Sequence, residues 1–333
     1  SSINTPYYYS YVSALVLLGF LRSHTVGSSR SILAKLFISG NVTLATFDIV
    51  RRDSPVFCWK QTTIRSSVGM TISFFREAGD GPGVICFHSN CSSSGQFKSL
   101  MSVLADGHHV FAVDSYGAGK TPAWDRPEHL SLADEVALAE PVMDKAGEGI
   151  VLVGHSYGAA VALTAALASP SRVKAIVVYE PTLFSLVNQV HPLPNSADAI
   201  RSAVQTSSEA VSKGDFVAAA SVVIDFWSGE GTWDQTPERP KEAILLAIRD
   251  VARWGFALNN DPTPLNSFSQ LTCPILYMLG TESPLPARAV ADVLIPVLPN
   301  VQVLEFEGLG HMGPITHPTA VNDAIVAFLH RLA

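Results

Sequence analysis

Charge is scarce in this 333-residue chain: Asp, Glu, Lys and Arg make up 15% of the residues, against 47% hydrophobic. Globular proteins average about 25% charged, so extended solvating tracts are excluded and large buried elements are expected. There is no block of basic residues and the formal charge is -7. Nucleic acid and anionic membrane surfaces are thereby disfavoured as partners, and a small, neutral or apolar molecule fits better. Cysteine is sparse as well. Cys58, Cys86, Cys91 and Cys273 show no C-x-x-C spacing, which leaves a zinc site, a redox pair or a disulfide framework without support and makes reduced thiols the expectation. H-E-x-x-H and other metal-ligand spacings are missing too, so no metal and no cofactor is expected. The apolar stretch from Tyr11 to Leu21 falls far short of the ~20 residues a bilayer-spanning helix needs. Internal repeats and low-complexity tracts are also lacking.

One further absence is local. No Asp or Glu occurs between Ser1 and Phe47, whereas Arg22, Arg30 and Lys35 sit among many serines and threonines. Such a segment reads either as a targeting peptide, with SSRSILAKLFISG as its amphipathic part, or as an N-terminal extension packed on a domain. Residues 1–50 are therefore set apart and given no role in the chemistry. A first residue other than Met is consistent with trimming; the expected location is cytoplasmic, with organellar targeting as the alternative this segment raises.

What is present is an alternation. TTIRSS and TISFFREA, around Val68-Gly69, predict an antiparallel hairpin at a sheet edge. GVICFHS, HVFAVDS, GIVLVGHS, KAIVVYEP, PILYMLG and VQVLEFEG follow, continuous apolar runs expected of strands covered on both faces. Between them lie helical patterns: QFKSLMSVLA, SLADEVALAEPVMDKAG with a serine cap and Asp134 at its third position, YGAAVALTAALAS and THPTAVNDAIVAFLHRLA. Strand–helix–strand repetition predicts a doubly wound, mostly parallel α/β sheet. From Pro181 to about Thr272 only helical stretches occur. That is too long for a connection inside a compact domain, so residues 182–272 are expected to form an inserted helical lobe between core segments 51–181 and 273–333.

The stretch VLVGHSYGAAVALTAALASP (151–170) places Ser156 in G-x-S-x-G. Five letters of this kind arise by chance in roughly one chain in ten of this length, given glycine near 7%, so context decides. Here a buried strand turns directly into a helix, the setting in which the motif is a nucleophile elbow. Gly154 and Gly158 permit the close strand–helix approach, and the helix N-terminus faces developing negative charge. At this point the chain resembles the α/β-hydrolase superfamily, over about residues 70–333, including the lobe that serves many members as a cap. The segments HSNCSSSGQF, DSYGAG, GHSYG, YEP and GHMGP further resemble an uncharacterised bacterial branch with a serine nucleophile.

The resemblance implies a base after the last core strand, where LGHMGP offers His311. It implies a buried carboxylate to orient that base, usually after the seventh strand, but LGTESP has Ser283 at the usual position. An alternative site in the superfamily, the end of the sixth strand, reads VVYEP and offers Glu180; Glu282 is the competing acid. Two backbone donors are implied for an oxyanion hole: Tyr157, next to the nucleophile, and Asn90, from His88-Ser89-Asn90, where the superfamily usually has His-Gly-x. His88 and His155 are expected to be structural; His108, His109 and His317 are expected on the solvated surface. In the lobe, Trp227, Trp233, Trp254 and Phe256, with Phe184 at its start, are candidates for lining an apolar substrate pocket, although aromatics at helical spacing are more often core.

DSYGAGKT (114–121) ends like a phosphate-binding loop, but Asp114 stands where that motif requires glycine and would repel phosphate. The expectation is therefore a serine hydrolase acting on a carboxylic ester, thioester or lactone through an acyl-enzyme. A carbon–carbon bond hydrolase with the same triad and a non-catalytic ligand-binding protein are the alternatives.

Overall fold

Alternating side chains of a strand face opposite sides of its sheet, so a run that is apolar at every position demands cover on both. In the computed structural model, which describes residues 19–26, 29–38, 41–49, 60–62, 71 and 73–332, these runs receive it. Val84 and Cys86 pack in one apolar cluster while Ile85 and Phe87 pack in another; Leu276 and Met278 part from Tyr277 and Leu279 in the same way.

The chain divides into two compact units, residues 1–58 with 64–71, and residues 59–63 with 72–333. In the first, Gly19–Val26, Ser29–Ile38 and Asn41–Ile49 form an antiparallel three-stranded sheet in sequence order. The segment 29–38, which falls within SSRSILAKLFISG, is a strand paired on both sides. Residues 1–18 lie outside the described residues, as does the Val68-Gly69 turn.

The second unit holds an eight-stranded sheet of β1 (Lys60–Thr62), β2 (Phe75–Ala78), β3 (Gly83–Phe87), β4 (His109–Val113), β5 (Ile150–His155), β6 (Val173–Tyr179), β7 (Ile275–Gly280) and β8 (Val301–Phe306), in the order β8-β7-β6-β5-β3-β4-β2-β1. Strands β3 to β8 pair in parallel, whereas β1–β2 and β2–β4 pair antiparallel. Lys60–Thr62 pairs antiparallel with Phe75–Ala78 at the sheet edge; of the expected strand TTIRSS, Thr62 belongs to this pairing and the rest lies outside the described residues. On one face lie α1 (Lys98–Leu104) and, from the C-terminus, Pro318–His330; on the other lie α2 (Leu132–Ala146), α3 (Tyr157–Ala168) and Leu285–Leu294. Helix α2 starts in a capping box: the Ser131 hydroxyl accepts from the Asp134 amide, and the Asp134 carboxylate accepts from the Ser131 amide.

One strand departs from the expected pattern. Strand β8 has only half-buried and exposed residues and none fully buried, because it is the sheet edge and has only β7 beside it. Between β6 and β7 the chain is helical: α4 (Phe184–Val190), α5 (Asp198–Ser212), α6 (Phe216–Ser228), α7 (Thr232–Gln235), α8 (Glu238–Ala247) and α9 (Val251–Asn260). These helices have a small core of their own around Ala219, Val223, Ile248 and Val251. Among the described residues, no helix is long and apolar enough to cross a membrane.

Candidate active site

Strand β5 ends at His155 and α3 begins at Tyr157, which leaves Ser156 alone to turn the chain. Its backbone takes φ 56° and ψ −117°, a conformation that costs a non-glycine residue about 1–3 kcal/mol. The turn is tight enough that a Cβ on Gly158 would stand 2.1 Å from the Phe87 carbonyl oxygen, and one on Gly154 would stand 2.4 Å from the Ala159 Cα. Both glycines of the motif are thus demanded by packing. Two other non-glycine residues among those described have positive φ, Cys91 at 55° and Glu180 at 46°. The three follow β3, β5 and β6, neighbouring strands, at the carboxyl edge of the sheet. Strain gathered at one edge marks a candidate functional site, and this edge is where open α/β sheets bind ligands.

Ser156, His311 and Glu180 meet there. His311 Nε2 lies 2.9 Å from Ser156 Oγ, and His311 Nδ1 lies 2.7 Å from Glu180 Oε2. A carboxylate only accepts, so Nδ1–H donates to Glu180 and Nε2 is left to accept from the serine hydroxyl. Glu180 and His311 are each 1% exposed. The other carboxylate oxygen, Oε1, accepts the Gly280 amide at 2.7 Å and the Ser283 hydroxyl at 2.5 Å. Ser283, at the position where the superfamily usually carries the acid, thus donates to an acid that arrives from the neighbouring strand. Glu282 is exposed; only its backbone faces the histidine loop, through its amide to the Leu309 carbonyl. Tyr179 Oη donates to the Gly310 carbonyl at 2.9 Å, fixing the loop that carries His311.

Behind this row runs a second one. The Ser89 amide and hydroxyl both donate to Gln96 Oε1 at 3.1 Å; Gln96 Nε2 donates to His155 Nδ1 at 3.0 Å; and His155 Nε2–H donates to the His311 carbonyl at 2.8 Å. The loop bearing Asn90 is in this way tied to the loop bearing His311. Burial pushes the His155 pKa down to about 3, with His311 next to it adding to the shift, so the ring stays neutral and keeps one tautomer. Burial also lowers the His88 pKa; its Nδ1–H donates to the Ser89 carbonyl and its Nε2 accepts the Ser115 amide. Gln96 was not singled out from the sequence. Its position in the short turn before α1 could have suggested it, but no motif points across 59 residues to His155.

Asp114 accepts the amides of Ser94 and Lys120 with its two oxygens, so D-S-Y-G-A-G is a turn folded about a buried carboxylate. His109 departs from the solvated reading: it is half-buried, with Nε2 2.7 Å from Glu77 Oε1.

A pocket enclosing about 680 Å³ of non-atom space, partly open to solvent, contains Ser156, His311, Asn90 and Cys91 in its wall. Phe184, Trp227 and Trp254 also line it, and Trp227 stacks on the His311 ring with centroids 3.9 Å apart. Trp233 does not line it. That side chain is buried in the core of the inserted helices, in one cluster with Val223 and Val251. Phe256 is likewise outside the wall; it is 37% exposed and stacks on His129. Tyr157 is the first residue of α3, so its amide has no intrahelical acceptor. Among the described residues, no group of three or more His, Cys, Asp or Glu side chains could hold a metal ion.

Comparison with known proteins gives a consistent family picture. A profile of the alpha/beta hydrolase family matches residues 84–324. Over 271 residues the chain is 27% identical to 2-(acetamidomethylene)succinate hydrolase of Mesorhizobium japonicum, covering 80% of this chain and 94% of the relative. It is 24% identical to the pimeloyl-[acyl-carrier protein] methyl ester esterase of Aliivibrio salmonicida, over 79% of this chain and 96% of that one. Among solved structures, a carboxylesterase from Bacillus subtilis superposes with a TM-score of 0.65 at 18% identity, covering 83% of this chain and 92% of the other.

Proposed function

This chain belongs to the alpha/beta hydrolase family and is an enzyme of hydrolase type, and from that premise we propose that it is a serine hydrolase cleaving a small, neutral ester through an acyl-enzyme on Ser156. The observation that carries the reading is the hydrogen-bonded row Ser156–His311–Glu180 opening on the lined cavity. As Ser156 Oγ attacks the substrate carbonyl carbon, His311 Nε2 takes its proton. The oxyanion accepts hydrogen bonds from the Tyr157 and Asn90 amides. The imidazolium, stabilised by Glu180, then protonates the departing alkoxide, and the alcohol leaves. Water next attacks the acyl carbonyl with His311 again as base, Ser156 recovers its proton, and the carboxylic acid departs. The helices between β6 and β7 act as a cap, with Trp227 covering the base.

The cavity supports the choice of a neutral substrate. No Asp, Glu, Lys or Arg lies in its wall, so a carboxylate on the substrate would be buried without an ionic partner, at considerable cost. The relative named for a succinate acts on a dicarboxylate; no Lys or Arg lines the wall here to match one. Turnover of p-nitrophenyl esters of graded acyl length tests the reading. Hydrolysis is expected, and Ser156→Ala should reduce kcat by at least ~10³-fold. Folded protein that turns over none of the esters, or a Ser156→Ala variant that keeps the wild-type rate, would overturn it.

A further inference from the structure

Within the wall of the cavity, polar atoms are buried without hydrogen-bond partners: Thr182 Oγ1, Trp254 Nε1, Asn259 Oδ1 and Asn90 Oδ1. Buried polar groups are overwhelmingly paired, and Thr182 and Trp254 are 1% and 2% exposed. That several such atoms share one cavity, next to the candidate nucleophile, points to a ligand that pairs them. Their placement is orderly. Val251, Trp254, Gly255, Leu258 and Asn259 recur at the spacing of one helix face, the face that α9 turns to the cavity. Thr182 is two residues beyond Glu180, on the sheet edge opposite. The polarity of the Asn259 amide is set, because its Nδ2 donates to the Gly255 carbonyl at 2.8 Å; flipping it would bring two oxygens together and is unfavourable. The wall therefore presents a pure donor at Trp254, a pure acceptor at Asn259 and a hydroxyl at Thr182.

We propose that this cavity selects an acyl group bearing a neutral function that both accepts and donates hydrogen bonds, a hydroxyl or an amide, and that Trp254, Asn259 and Thr182 determine this specificity. The inference rests on the serine-hydrolase reading and narrows it. A plain alkyl chain fills the apolar part of the wall but leaves all three polar groups unpaired. A ketone satisfies Trp254 and not Asn259. A carboxylate accepts from Trp254 but sets its charge against the Asn259 oxygen, with no cation in the wall.

The test uses matched p-nitrophenyl esters: 3-hydroxybutyrate against its methyl isostere 3-methylbutyrate, each kcat/KM divided by the rate of alkaline hydrolysis of the same ester. The normalised ratio should favour the hydroxy ester by about tenfold or more in the wild type, since sites built to pair a hydroxyl discriminate strongly against its absence. It should fall about tenfold, the loss of one such pair, in Trp254→Phe and in Asn259→Leu. The near-isosteric Thr182→Val, which disturbs packing least, should lower it in the same direction. A wild-type ratio at or below one, or a ratio unmoved in all three variants, overturns the proposal. Turnover of the alkyl ester in that case leaves the serine-hydrolase reading standing, whereas turnover of neither ester by folded protein removes both.

Discussion

Glu180 holds its carboxylate in place with two donors, the Gly280 amide and the Ser283 hydroxyl, while its other oxygen faces His311. Glu180→Gln should keep the packing yet orient the imidazole in the wrong tautomer, and kcat is expected to fall by about 10³ to 10⁴. Glu282→Gln, exposed on the same loop as Ser283, should stay within about twofold, as surface substitutions do. The opposite ranking of these two variants would reassign the acid. Ser156 and His311 were legible in the sequence because each is announced by its own few neighbours, a glycine-flanked turn and a glycine-rich loop after a strand. The partnership of Ser283 with Glu180 was not, because it joins residues 103 apart on two strand ends and depends on β6 and β7 lying side by side. Gln96 escaped for the same reason. Gln96→Leu cuts the tie between the Asn90 and His311 loops, so kcat should drop about tenfold with KM held within about twofold, the pattern of lost positioning rather than lost binding. A rise in KM at unchanged kcat would place Gln96 in substrate binding instead.

At the scale of elements, α2 carries the clearest pH dependence. Its Glu135 is buried, accepting the Tyr116 amide and the Tyr157 hydroxyl. Burial pushes its pKa from an ordinary 4.5 up to about 8, with Asp134 and Asp250 adding to the rise. A carboxyl whose folded pKa is raised favours the fold while protonated. That contribution is complete below about pH 4.5 and is lost as pH climbs through about 8. Melting temperature should therefore fall between pH 6 and pH 9 by more in the wild type than in Glu135→Gln, which cannot ionise; parallel curves would show that Glu135 does not titrate in this window. The strands were legible wherever both faces are covered, since a continuous apolar run leaves little choice. Strand β8 was misread as one of these because an edge position is a property of the sheet, not of the segment VQVLEF. Trp233 was misplaced because helical spacing shows which residues share a face but not which neighbour that face meets.

For the whole molecule, the alpha/beta hydrolase match at residues 84–324, together with every candidate site residue, lies in the unit formed by residues 59–63 and 72–333. A domain with its own core can fold and act alone, so a chain lacking residues 1–58 should hydrolyse p-nitrophenyl esters with kcat/KM within about threefold of the full chain. A loss of a hundredfold or more with the fold intact would give the first unit a part in the chemistry. The three-layer arrangement and the helical stretch between β6 and β7 were legible from the rhythm of the chain. The three-stranded sheet of residues 19–49 was not: its acid-poor composition resembles a targeting peptide, and pairing between strands leaves little trace in a segment that lacks a clear period. Reaction of the folded full chain with a fluorophosphonate, followed by mass mapping of the modified peptide, tests the central claim most directly. The account predicts one adduct, on Ser156, formed much more slowly in His311→Ala; an adduct on another serine, or none on protein that hydrolyses esters, would contradict it.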